Sequence, residues 1–223
     1  QQIMMRRLLI ALTLAAVVVP APASLAGERQ RRSDERETQT ERITRSVNIG
    51  PSGERDLSNV AGDIVITRAG GATLLIEAVK TARGATAEEA REMLALVPVE
   101  ITERGTRVEA RTRYPSGDER RRTGRRNFSV SVAYTVAAPE GTRILAKSIS
   151  GNISVRDILG GLTLESVSGA IRIANGGRTV NGRSISGDIE LNDTKVEGAL
   201  EAGTISGTVR LRRVTARSVA LNS

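Results

Sequence analysis

Four copies of one octapeptide govern what this chain can fold into. They are Ser148-Ile-Ser-Gly-Asn-Ile-Ser-Val155, Ser166-Val-Ser-Gly-Ala-Ile-Arg-Ile173, Ser184-Ile-Ser-Gly-Asp-Ile-Glu-Leu191 and Thr204-Ile-Ser-Gly-Thr-Val-Arg-Leu211. Their starts are 18, 18 and 20 residues apart, and Asn59-Val-Ala-Gly-Asp-Ile-Val-Ile66 is a diverged fifth copy far upstream. Branched residues at the second, sixth and eighth places alternate with polar ones, the period of a strand with one buried face. The fourth-place glycines Gly151, Gly169, Gly187 and Gly207 permit a sharp bend or a positive φ. The third-place serines Ser150, Ser168, Ser186 and Ser206 are placed to bond backbone at the same corner.

A second short apolar segment separates the copies, as in Leu162-Thr-Leu-Glu-Ser166. Each coil therefore holds two short strands and two turns. One coil cannot close a core by itself, but stacked coils bury a continuous aliphatic column. The fold class expected is all-β, a repetitive parallel β-solenoid with one short helix in the N-terminal half. The core must be aliphatic, since the 223 residues hold one Phe, two Tyr and no Trp. Residues 218–223 look like the start of another coil, so the array is expected to be truncated at its C-terminus.

The SISGDIEL-type repeats, the upstream Asn59–Ile66 copy and the segment Tyr134-Thr-Val-Ala-Ala-Pro-Glu-Gly-Thr-Arg-Ile144 together resemble the bacterial adhesin-like family DUF4097, over Val47 to Ser223. The resemblance implies an envelope-associated β-solenoid. It carries over no catalytic residue and no cofactor.

Upstream of the array the chain changes character. Residues 1–26 have the layout of a secretory signal peptide: Arg6 and Arg7, an apolar run from Leu8 to Val19, then Pro20 and small residues. The run is too short to span a bilayer as a helix. This implies export to the periplasm, cell surface or medium. Residues 27–45 are almost wholly charged or polar and are expected to form a disordered linker. Residues 46–139 are expected to be a β-rich region before the solenoid of 140–223. Within it Ala72–Lys80 suits a strand, and 86–96 suits the helix, with Thr86 as N-cap, Glu89 at capping-box spacing and Pro98 as a stop. Val99–Tyr114 and Phe128–Val136 suit the two strands of a hairpin, joined by a basic loop at 115–127.

The chemistry available is narrow. No His and no Cys means that the common metal ligands, the usual general base and the thiol nucleophile are all missing. Four equivalent serines, lacking a histidine, form a structural ladder better than a nucleophile. Asp63, Asp188 and Asp193 do not recur in every coil as a calcium array requires. Glu165, Asp188, Glu190 and Glu201 are the carboxylates a polysaccharide-cleaving β-helix would draw on, but alternation turns most of them outward. No catalytic, cofactor or metal site is therefore assigned. Arg120, Arg121, Arg122, Arg125 and Arg126 are the candidate contact for an anionic ligand.

The formal charge is +8, and +6 once Arg6 and Arg7 leave with the leader, a mild bias toward anionic partners. The partners expected are a cell-surface glycan, an anionic envelope polymer or another envelope protein, together with self-association through an open solenoid end. Nucleic acid is not expected, since export and the lack of stacking rings argue against it. The leading function is a non-enzymatic surface or envelope interaction module. A self-assembling spacer and a polysaccharide-active enzyme are the alternatives. If glycine marks the corner of every coil, Gly187→Val should lower the thermal unfolding temperature, and an unchanged melt would remove that corner.

Overall fold

The computed structural model describes residues 36–50, 54–122 and 128–222, and they build two eight-stranded sheets facing each other. The expected signal peptide lies outside the described residues. The octapeptide repeats do stack as rungs. One sheet receives β9 (Ile153–Arg156), β11 (Ile171–Ala174), β13 (Ile189–Asn192) and β15 (Val209–Arg212); the other receives β8 (Arg143–Ser150), β10 (Leu162–Ser166), β12 (Val180–Ser184), β14 (Lys195–Thr204) and β16 (Thr215–Asn222). All of these neighbours pair in parallel, with Ile153, Ile171, Ile189 and Val209 in one row and Ile144, Leu162, Val180 and Leu200 in the facing one. Most of these side chains are fully buried, and full burial of an aliphatic side chain of this size is worth about 1.5–3 kcal/mol. This is the all-β parallel solenoid expected from the repeat.

The diverged copy is the first rung. β2 (Glu54–Ala61) and β3 (Ile64–Ala69) pair in parallel with β8 and β9, matching Asn59 to Ser148 and Ile64 to Ile153. The chain thus leaves the solenoid after Ala69 and returns at β8 directly on top of the rung it left.

The excursion caps that end. β4 (Thr73–Gly84) lies antiparallel between β1 (Glu37–Asn48) and β7 (Val130–Pro139), and β7 joins β3 in parallel. Residues 37–45, expected within a disordered linker, instead form most of β1. Its alternation was hidden because its outer face is almost wholly polar, while Val47 and half-buried Ile43 supply the inner one.

The hairpin expectation also fails. β5 (Val99–Arg104) turns back antiparallel onto β6 (Arg107–Thr112) through Gly105, and β6 extends the other sheet beside β2, whereas β7 belongs to the opposite sheet. Both segments alternate, but alternation does not name a partner.

Helix α1 is Ala87–Ala95. Thr86 accepts from the Glu89 N–H at 3.1 Å while the Glu89 carboxylate accepts from the Ala85 N–H at 2.8 Å, and Ala90, Met93 and Leu94 face the core. A second helix, α2 (Gly117–Arg122), occupies part of the expected loop, so the described residues hold two helices where one was expected. Ser116 and Glu119 cap it reciprocally: the Ser116 hydroxyl accepts from the Glu119 N–H and the Glu119 carboxylate from the Ser116 N–H.

Several of the polar groups taken inside are paired, although the buried hydroxyls of Thr142, Ser148 and Ser166 have no hydrogen-bond partner. Lys80 on β4 is buried and donates to Glu41 on β1 at 2.7 Å. The Tyr134 hydroxyl meets Thr112 at 2.7 Å, and the Tyr114 hydroxyl donates to the Ala61 carbonyl at 3.1 Å. Burial pushes both phenols up, that of Tyr114 to about 12.

The fourth-place glycine owes its place to crowding. None of Gly151, Gly169, Gly187 and Gly207 has positive φ, but a Cβ on each would lie 2.0–2.4 Å from the carbonyl oxygen of the corner glycine one rung earlier. That contact is with backbone and cannot be relieved by a rotamer change. Gly187→Ala should therefore cost about 3 kcal/mol, with no β-branching needed. Gly203→Ala, whose Cβ meets ordinary contacts from 3.5 Å, should be within about 1 kcal/mol of wild type. Chemical denaturation of the two variants decides between crowding and conformational freedom.

The tyrosines make a second prediction. A phenol whose folded pKa lies above its unfolded value of 10.0 contributes its full stability below pH 10 and loses it as pH rises toward the folded pKa, about 12 for Tyr114. Tyrosinate absorbance of the folded protein should stay low at pH 10, and the denaturation midpoint should fall from there upward. Ordinary ionisation near pH 10 in folded protein would count against the burial of these rings.

Candidate functional site

The motif's eight places divide into core, corner and surface differently from the expectation. The first place is the buried polar corner: Asn59, Ser148, Ser166, Ser184 and Thr204 are all inside. Asn59 Nδ2 donates to the Val132 and Gly62 carbonyls at 2.7 and 3.0 Å, Thr204 Oγ1 to that of Gly187 at 3.1 Å, and Ser184 Oγ to that of Gly169 at 3.4 Å. The third-place serines, expected to bond at the corner through their side chains, are exposed. What they provide is backbone: the N–H of Ser168, Ser186 and Ser206 donates to the carbonyl of Ile149, Val167 and Ile185, each at 2.8 Å.

The second place is the larger correction. Expected on the buried face, it points outward in all four copies of the array: Ile149, Val167, Ile185 and Ile205 are 49, 39, 46 and 76 % exposed. The alternation runs on from the buried first place to the outward second place, and it breaks at the bend that follows, where the second and third places are both outward. The result is a ladder of branched apolar side chains along the outside of the solenoid.

This ladder walls a groove of about 890 Å³ that crosses the rungs from Asn59 to Asn222. The opposite side is polar, with Lys147 bonded to Glu165 at 2.9 Å and Arg183 to Glu201 at 3.7 Å. Glu201 also accepts from Asn181 Nδ2 at 3.1 Å. At Gly203 the floor lacks a side chain altogether. The volume falls in the range of small-molecule sites, which are concave and mostly apolar.

The residues considered for catalysis are engaged elsewhere. Glu165 and Glu201 pair with cations as above, Glu190 with Arg212 at 3.8 Å and Asp188 with Arg210 at 2.7 Å. The Arg210 guanidinium and then the Thr208 N–H hold the Asp188 carboxyl below its usual range, and Arg213 does the same for Asp193. A glycoside-cleaving pair needs one carboxyl raised to serve as acid. The tyrosines are pushed the other way, away from neutrality. General acid–base work requires a group tuned near the operating pH.

Asp63 and Asp188, weighed as calcium ligands, serve the stack instead. Asp63 accepts from the Asn152 N–H at 2.8 Å, Asn152 from the Ala170 N–H at 3.0 Å, and Asp188 from the Thr208 N–H at 2.8 Å, each reaching the next rung. Of the arginines proposed for an anionic ligand, Arg120, Arg121 and Arg122 fall on α2 and Arg125 and Arg126 lie outside the described residues.

A second corner went unnoticed in the sequence. Asp157, Asn175, Asp193 and Arg213 all adopt positive φ, between 49 and 58°, at the end of successive strands. Asn175 Nδ2 donates to Asp157 at 2.7 Å, and Arg213 pairs with Asp193. The signal was available: Asp and Asn recur here at the repeat period, and they tolerate the left-handed region better than other side chains.

Similar solved structures include a candidate cell adhesion protein from Clostridium sporogenes, 8% identical over 83% of this chain and 99% of that chain with a TM-score of 0.43. Candidate adhesins from Bacteroides fragilis, 12% identical over 82% and 97% with a TM-score of 0.31, and from Parabacteroides distasonis, 9% identical over 82% and 97% with a TM-score of 0.29, are also similar. No curated protein matches the sequence. The family described as Toastrack DUF4097 matches this chain over residues 129–223, from β7 through the array of repeats.

Proposed function

We propose that this chain is an exported envelope protein without catalytic activity, and that it works by contact through the outer corner of its solenoid. The observation that carries the reading is the ladder Ile149, Val167, Ile185 and Ile205. An outward position needs no branched apolar residue for stability, yet all four copies place one there. The apolar strip supports an interaction role. The engaged carboxylates and high-pKa phenols support the lack of catalysis. Among the described residues no helix is long and apolar enough to cross a membrane.

The test is direct binding to isolated envelope fractions: membrane, cell-wall polymer and surface glycan. Ile149→Ser with Ile185→Ser should weaken binding roughly tenfold, about the loss of two half-covered aliphatic side chains, while circular dichroism and thermal unfolding stay as in the wild type. Equal binding by a folded double variant would remove the ladder from the function.

A further inference from the structure

We infer that the groove along this ladder is a seat for a single acyl chain. The inference rests on the contact reading above and narrows its occupant.

Charge is the first argument. The charged side chains lining the groove are Lys147, Glu165, Arg183 and Glu201, and they pair off two by two. The lining carries no net charge to attract an anion or a cation. The stems of Lys147 and Arg183 can lie along the groove as apolar wall while their charged ends stay in water.

Hydrogen bonding is the second. The rungs under the groove have parallel neighbours on both sides: β10 lies between β8 and β12, and β12 between β10 and β14. Their N–H and C=O groups are committed to those ladders. A peptide laid across them would leave its own backbone groups unpaired, at about 1–3 kcal/mol each. A glycan would bring many hydroxyls to an apolar strip, and none of Tyr114, Phe128 and Tyr134 lines the groove to stack on a sugar ring. A hydrocarbon chain has no such groups to satisfy.

Length is the third. Six rungs contribute lining residues, from Asn59 to Asn222, and five strand spacings make a trough of about 24 Å. The branched ladder runs along one wall over this length, which suits an extended alkyl chain.

The experiment uses the whole chain, with cis-parinaric acid as fluorescent probe and the n-alkanols from decanol to hexadecanol as competitors. Saturable binding of one probe per chain is expected, insensitive to added salt. Each methylene of the competitor should tighten binding about two- to fourfold until the groove is filled. Two variants should each weaken probe binding at least tenfold with unchanged thermal unfolding: Ile149→Ser with Ile185→Ser, which thins the wall, and Gly203→Glu, which sets a carboxylate on the bare floor. No saturable binding, competition independent of chain length, or equal binding by both folded variants would overturn the proposal. If the wild type ignores the probe while the serine variant still loses envelope binding, the acyl seat falls and the contact surface stands. If neither measurement responds, both fall.

Discussion

Everything in this molecule is referred to one close approach, backbone against backbone at the glycine corner. Hydrogen bonding fixes neighbouring rungs about 4.8 Å apart. At that spacing the corner of one rung presses its Cα against the carbonyl of the rung before, leaving no room for a Cβ at Gly151, Gly169, Gly187 or Gly207. The contact repeats at the same place in each coil, so it pins the register of both sheets together. Once register is pinned, every side chain is committed to inside or outside, because a slip of one residue would invert each strand. The aliphatic column and the external ladder are two consequences of the same constraint.

The first rung shows how strict that constraint is. It is separated from its neighbour by 89 residues of chain, where the array rungs are 18 to 20 apart, yet it meets β8 and β9 in the same alignment. Its corner uses different chemistry for the same task. Asn59 replaces the Ser or Thr of the later copies, and its longer amide reaches across to Val132 of the strand next in the stack. Gly62 sits under Val132 in turn, with a Cβ position 2.2 Å from that carbonyl. The cap built from β1, β4, β7 and α1 is thus fastened to the solenoid through the same corner geometry that joins the rungs.

The outer surface follows a different economy from the core. Its charges are spent mainly on one another, rung to rung: Lys147 with Glu165, Arg183 with Glu201, Asp188 with Arg210, Asp193 with Arg213. Such exposed pairs contribute little stability individually. Their effect is to neutralise charge locally beside the apolar ladder. With the groove's charged side chains paired in this way, the ladder offers apolar contact along its length.

The repeat spacing, the alternation at its sixth and eighth places and the invariable glycine were enough to determine a parallel β-solenoid with an aliphatic core and to locate the upstream rung's motif at Asn59–Ile66. Capping chemistry around Thr86 likewise placed α1, because these are local rules that act within a few residues. What only the tertiary structure decided was whatever depends on which strand lies beside which. Period-two patterning could not tell that β5 pairs with β6 while β7 crosses to the other sheet, nor that polar residues 37–45 would pair as a strand along the edge of β4. It also could not show that the chain bends after the second motif place and not before it, which leaves Ile149, Val167, Ile185 and Ile205 outward and creates the groove. A branched apolar residue is ordinarily read as core; its actual side depends on the bend of the backbone, and that bend is set by the rung packed against it.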